Sequence, residues 1–307
     1  MKYPDFSCKH HILIENDDGT RFPMDFPYFR ATLIAPETWQ ILTAGDFSYL
    51  VAGEHEAILI DSGYGAGNIR QMCQLLTERP LRSIVNTHHH FDHTANNCYF
   101  DCAYMSKETV PLATIPFQSF EGIQFPRDYP VEVIDEGYVF DLGSRTLETM
   151  RLSSHVDGSL LFLDQKERIL FAGDAIFAPG IPSPVIVMGS VEKFADQLKR
   201  IVSHRSCFDR IYTGGGYIPT ESIDKYLANA QHIMDGYEGE LPPEPPRRSP
   251  CAPDQVIVYD RMRPRPGDTT PRPTEGLEYQ RIMRYAGCLL KYDCRYIKNP
   301  PQAAEKA

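Results

Sequence analysis

The stretch NTHHHFDHTANN, residues 86–97, constrains this 307-residue chain more than any other. It places four histidines and an aspartate within six positions: His88, His89, His90, Asp92 and His93. It follows directly on LRSIVNT, a short apolar run of strand character, so the histidines fall on a strand-to-helix loop. In extended chain, residues two apart point the same way, which sets His88 and His90 to one side and His89 to the other. Asp92 and His93 then turn into the following helix. Imidazole nitrogens and carboxylate oxygens are ligands for a zinc-like ion, and this geometry can serve two neighbouring ions.

The rest of the chain reads as mixed α and β. Residues 38–63 hold short β-rich runs between turns, as consecutive antiparallel strands do, and NIRQMCQLLTE has helical spacing. TLETMRLSS, SLLFLDQ and RILFAGDA read as strands, SVEKFADQLKRIV as a helix, and RIYTGGG as a strand ending in glycines. Such an order predicts sheets covered by helices. After the helical ESIDKYLANAQHIMDGYEG comes ELPPEPPRRSPCAPD, whose prolines forbid a regular helix or central strand. The expected division is therefore 1–239 for a catalytic domain and 240–307 for a Pro-rich linker with a docked extension. The apolar residues of QVIVYD, EYQRIMRYAGCLL and KYDCRYI argue for docking rather than disorder.

THHHFDH resembles the HxHxDH signature of the metallo-β-lactamase fold superfamily. LSSHVDGSL is similar to that family's second motif, and ILFAGDAIF to its third. The resemblance covers about residues 38–220 and implies a four-layer αββα sandwich, here with a C-terminal extension. It also implies a first ion held by His88, His90, His155 and Asp174, and a second by Asp92, His93 and the bridging Asp174. Asp61, in AILIDSG, would orient a ligand. The departure is at RIYTGGGY: where the family places a final histidine, Gly215 stands, which removes a ligand of the second ion. His89, His204 and Tyr217 are the candidates to compensate. His89 is expected to pack behind the site and His204 to cap a helix. Tyr217 is an open candidate for binding metal or polarising a substrate carbonyl.

The net charge of -10 disfavours a nucleic-acid partner, because phosphate contacts need a basic footprint. No apolar leader or membrane-length run stands out, and eight scattered cysteines fit reduced thiols, so a cytoplasmic protein is expected. The function implied by the resemblance is hydrolysis of a small lactone, thioester or ester by metal-bound hydroxide, with one or two zinc ions and Asp92 as proton shuttle. Aspartate rather than cysteine at 174 points to the lactonase and thioesterase branches. Two alternatives stand: a mononuclear iron or manganese enzyme doing redox or isomerisation chemistry, and a degenerate binding module. Loops 116–130 and 177–190 are the candidates to shape a substrate pocket, and a homodimer is left open.

Overall fold

The runs AILI, LLFLD and ILFAG lack the polar alternation of a half-buried strand because each is covered on both faces. In Ala57–Ile60, Ile58 and Ile60 join the core between two sheets, whereas Ala57 and Leu59 face helices. In Leu160–Asp164, Leu160 and Phe162 face that same central core, and Leu161 and Leu163 face the opposite layer. Three cores separating four layers follow directly from these alternations.

The computed structural model describes residues 12–15, 21–23, 29–43, 46–63, 68–113, 128–242, 256–259 and 276–298. Strands β1 (Ile12–Glu15) and β2 (Arg21–Pro23) pair antiparallel. The first large sheet runs in chain order: β3 (Arg30–Ala35), β4 (Thr38–Thr43), β5 (Asp46–Ala52), β6 (Ala57–Ile60), β7 (Leu81–Val85), β8 (Cys102–Met105) and β9 (Val131–Val133). β3 to β6 are antiparallel neighbours, and β6 to β9 are parallel. Its outer face carries α1 (Ile69–Gln74) and α3 (Val110–Ala113), while α2 (Phe91–Thr94) follows the loop after β7 and bonds Asp61 and Ser62 at the strand ends.

The second sheet has β10 (Val139–Asp141), β11 (Thr146–Arg151), β12 (Leu160–Asp164), β13 (Ile169–Gly173), β15 (Arg210–Thr213) and β16 (Gly216–Ile218), while β14 (Val185–Ile186) lies outside it. α4 (Val191–Ser203) and α5 (Glu221–Met234) cover its outer face. α4 starts where the Ser190 hydroxyl accepts from the Lys193 N–H, and it buries Val191, Phe194, Ala195, Leu198 and Ile201, a helical stripe. The result is the expected αββα sandwich.

α1 is shorter than the run NIRQMCQLLTE suggests. The Gln74 side chain turns out of the helix to bond the carbonyls of Thr77 and Arg79 and the N–H of Leu81, which closes a turn into β7.

In the C-terminal region, β17 (Val256–Tyr259) pairs parallel with β1. β18 (Gln280–Tyr285) and β19 (Cys288–Asp293) form a hairpin across Ala286-Gly287, both at positive φ as a two-residue turn requires. Met283, Cys288, Leu290 and Tyr292 bury themselves against α5. The Asn229 amide of α5 donates to the carbonyls of Met283, Tyr285 and Cys288. β19 also pairs with β14. Of the two candidate pocket loops, residues 116–127 lie outside the described residues.

Candidate metal centre

Parallel β6 and β7 end at one rim of the first sheet, and Asp61, the residue after β6, meets the loop after β7 there. Its carboxylate accepts the Thr87 N–H at 2.8 Å and the Thr87 hydroxyl at 2.7 Å, and lies 2.8 Å from His93 Nδ1. A carboxylate only accepts, so His93 carries its proton on Nδ1. The Thr87 hydroxyl, having given its proton to Asp61, is left to accept from His88 Nδ1 at 3.0 Å. One carboxylate therefore fixes a proton on Nδ1 of two imidazoles, which leaves Nε2 as the ligating nitrogen of each. Gly173 is required close by, since a Cβ there would fall 2.4 Å from Thr87 Oγ1.

The amides around α2 fix its position. The His93 carbonyl accepts from the Ser62 N–H and from Asn86 Nδ2, and Asn97 bonds both Asn86 and Ser62. His90 is the N-cap of this four-residue helix, which places Asp92 and His93 in its first turn.

His155 arrives from the second sheet. It sits in left-handed backbone at φ 64, and its N–H donates to the Ile186 carbonyl of β14 at 2.7 Å. Asp61 is likewise left-handed, at φ 60, and such strain in non-glycine residues gathers at functional sites. His155 Nε2 comes within 2.8 Å of His90 Nδ1. Asp174, one residue past β13, straddles the centre, with Oδ2 3.6 Å from His155 Nε2 and Oδ1 3.7 Å from His93 Nε2.

Two sets of ligand atoms thus converge, each within 4.8 Å: His88, His90 and His155, and His88, His93 and Asp174. His88 Nε2, His93 Nε2 and Asp92 Oδ1 are buried and lack any hydrogen-bond partner. An unsatisfied buried polar atom costs about 1–3 kcal/mol. His89 Nδ1 on the same loop is also unpartnered but lies outside both sets; for the other three, a divalent cation fits as the missing partner. The imidazoles are prepared for it: burial, reinforced by neighbouring histidines, holds His88 and His90 well below the usual range, so they are neutral. His93 moves the other way. Burial would lower it, but Asp92, Asp61 and Asp174 together raise it well above, so without a cation His93 also carries a proton on Nε2, which a bound ion must displace.

The remaining candidates fall elsewhere. His89 belongs to neither set, and burial lowers it to about 4. His204 caps α4 and donates Nδ1–H to the Arg200 carbonyl at 2.8 Å. Tyr217 packs its ring on Tyr212, with centroids 5.8 Å apart, and is 57% exposed. Among the described residues no contact joins its phenol to the histidines. Two residues at the site escaped the sequence reading: Thr87, inside the quoted stretch but not a ligand type, and Asp46, whose carboxylate falls within 4.8 Å of Asp92 and His93.

Residues 45–206, more than half of the chain, match the Metallo-beta-lactamase superfamily. The chain belongs to that superfamily. It is 31% identical over 189 residues to the "probable metallo-hydrolase" MJ0888 of Methanocaldococcus jannaschii, covering 56% of this chain and 87% of that one. It is 26% identical over 160 residues to the acyl-coenzyme A thioesterase MBLAC2 of Bos taurus, covering 42% of this chain and 57% of the relative. The mono-zinc form of the FIM-1 metallo-β-lactamase from Pseudomonas aeruginosa shares the fold, with TM-score 0.53 at 15% identity over 69% of this chain and 98% of that one. Among the described residues no helix is long and apolar enough to cross a membrane.

Proposed function

We propose that the chain is a metal-dependent hydrolase of small acyl substrates, thioesters foremost, with zinc at His88, His90 and His155. The observation that carries this reading is the convergence of three imidazoles and Asp174 around buried atoms that have no other partner. When bound, a divalent ion supplies Lewis acidity toward an acyl oxygen and acidifies water. Asp92 Oδ1, buried and unpartnered, holds or takes the proton of the attacking water. Asp61 and Thr87 keep His93 and His88 in the ligating tautomer. Phe177 presents its ring edge-on to His155, with centroids 6.2 Å apart.

The preference for thioesters rests on the MBLAC2 likeness and on aspartate rather than cysteine at 174. Thiol release from acyl-coenzyme A and other acyl-thiol esters, set against ring opening of aliphatic lactones and cleavage of aryl esters, tests it. The expected result is a thioester kcat/KM at least about tenfold above the others, a discrimination near 1.4 kcal/mol. A lactone preference, or no turnover in any class, would reject it. The bare turn at Gly215 favours a second reading, a single iron or manganese ion serving redox or isomerisation chemistry, which colour and dioxygen uptake would reveal.

A further inference from the structure

Gly215 stands where the superfamily resemblance calls for a histidine, yet the atoms that such a histidine would join are still gathered there. We propose that Asp46 takes its place, so that Asp46, Asp92, His93 and Asp174 form a second cation position of one imidazole and three carboxylates. The proposal rests on the reading of the histidine cluster as a metal centre.

Topology brings Asp46 to the rim. β5 runs antiparallel to β6 with Tyr49 opposite Ile60, so the first residue of β5 lies at the end where Asp61 follows β6. Two hydrogen bonds then tie the start of β5 to the glycine turn. The Phe47 N–H donates to the Gly214 carbonyl at 2.9 Å, and the Tyr49 hydroxyl donates to the Thr213 carbonyl at 2.5 Å. Asp46 therefore borders the turn that has lost its side chain. Its ligand oxygen, one of Asp92 and a nitrogen of His93 all lie within 4.8 Å of one another.

The independent sign of a ligand is on the two buried partners. His93 is 0% exposed and Asp92 3%, and His93 Nε2 and Asp92 Oδ1 have no hydrogen-bond partner. His93 Nε2 is 3.3 Å from Asp92 Oδ2 and 3.7 Å from Asp174 Oδ1. The glycines put no side chain of their own into this space. A Cβ on Gly214 would fall 2.2 Å from Asp174 Oδ1, so that position admits no side chain, whereas a Cβ on Gly215 would meet only Thr213 Oγ1 at 3.7 Å.

The donor set also predicts selectivity. Three imidazoles at the first position suit zinc, whereas three carboxylates and one imidazole form a harder site that accepts manganese or iron(II) more readily. The two positions of one chain should thus load differently.

The test is metal content per full-length chain by elemental mass spectrometry after reconstitution with zinc alone, manganese alone or both. Chelator competition gives the affinities, and circular dichroism confirms folding. The expected wild-type result is two ions, with manganese enriched at the weaker site. Asp46→Asn should keep one tight ion and weaken the other at least about tenfold, the cost of losing a ligand. Asp46→Asn with Gly215→His should regain the second ion and shift it toward zinc. A second ion held equally well by Asp46→Asn overturns the proposal. A wild-type chain with one ion, retained unchanged in Asp46→Asn, also overturns it but leaves the proposed function standing. A wild-type chain that binds no ion overturns both.

Discussion

Replacing Asp61 with asparagine tests how the centre is held without disturbing the backbone. Asparagine tolerates the left-handed φ of 60 that this position requires, so strain does not confound the result. The amide keeps one acceptor for the Thr87 N–H but puts an NH2 where Oδ2 stood. That NH2 donates to His93 Nδ1 and to the Thr87 hydroxyl. His93 must then move its proton to Nε2, and Thr87 turns to donate to His88 Nδ1, which drives the same change there. Each neutral ring then keeps its proton on Nε2, the nitrogen needed for the ion, and has its lone pair on Nδ1 instead. Losing the support behind a ligating histidine costs about 10–100-fold in metal affinity, or about 1.4–2.7 kcal/mol. Reversing two hydrogen bonds to a buried carboxylate should also lower stability by about 1–3 kcal/mol. Chelator competition reads the first quantity and urea denaturation of the metal-free protein the second. Affinity within about twofold of wild type, in a folded variant, would refute the tautomer argument.

Three further outcomes follow from particular contacts. Arg145 reaches from Asp164 to Thr38 and to the carbonyls of Pro36, Glu37 and Ala52, joining the two sheets. Arg145→Met should cost about 3–5 kcal/mol in denaturant unfolding, and Arg145→Met with Asp164→Leu should cost less, since no buried charge is orphaned. Ending the chain at residue 242 removes β18 and β19, frees β14, and loosens the Ile186 carbonyl that holds His155; metal affinity should fall at least about tenfold in a chelator titration. Around Arg151, burial would raise Glu108 and Asp135, but backbone hydrogen bonds and the guanidinium hold both below the usual carboxylate range. Lowered carboxylates stabilise above their unfolded values and lose that contribution as pH falls. The melting-temperature gap between wild type and Arg151→Met should therefore be largest near neutrality and close below about pH 4.

Individual strands were legible because doubly covered strands need unbroken apolar runs, and AILI, LLFLD and ILFAG have them, but their periodicity indicates only mixed α and β; the four-layer arrangement came from the family resemblance. The histidine loop was legible because its ligands are neighbours in sequence, and His155 and Asp174 because each sits in its own motif. Asp46 was not, since nothing local marks it; it reaches the site through the β5–β6 register and through hydrogen bonds to a turn about 170 residues away. Thr87 was missed because a relay hydroxyl leaves no ligand signature. The early end of α1 was hidden because a single glutamine side chain overrides helical spacing. The parallel pairing of β14 with β19, which ties the C-terminal hairpin to the His155 loop, depends on contacts between segments about 100 residues apart.

The most direct test of the central claim is to measure thioester hydrolysis as metal is titrated into chelator-stripped protein. The account predicts negligible turnover in the stripped chain, a rise in proportion to the ion bound at His88, His90 and His155, and no rise in His88→Ala. Turnover that survives complete metal removal, or that returns in His88→Ala at the same metal equivalents, would contradict it.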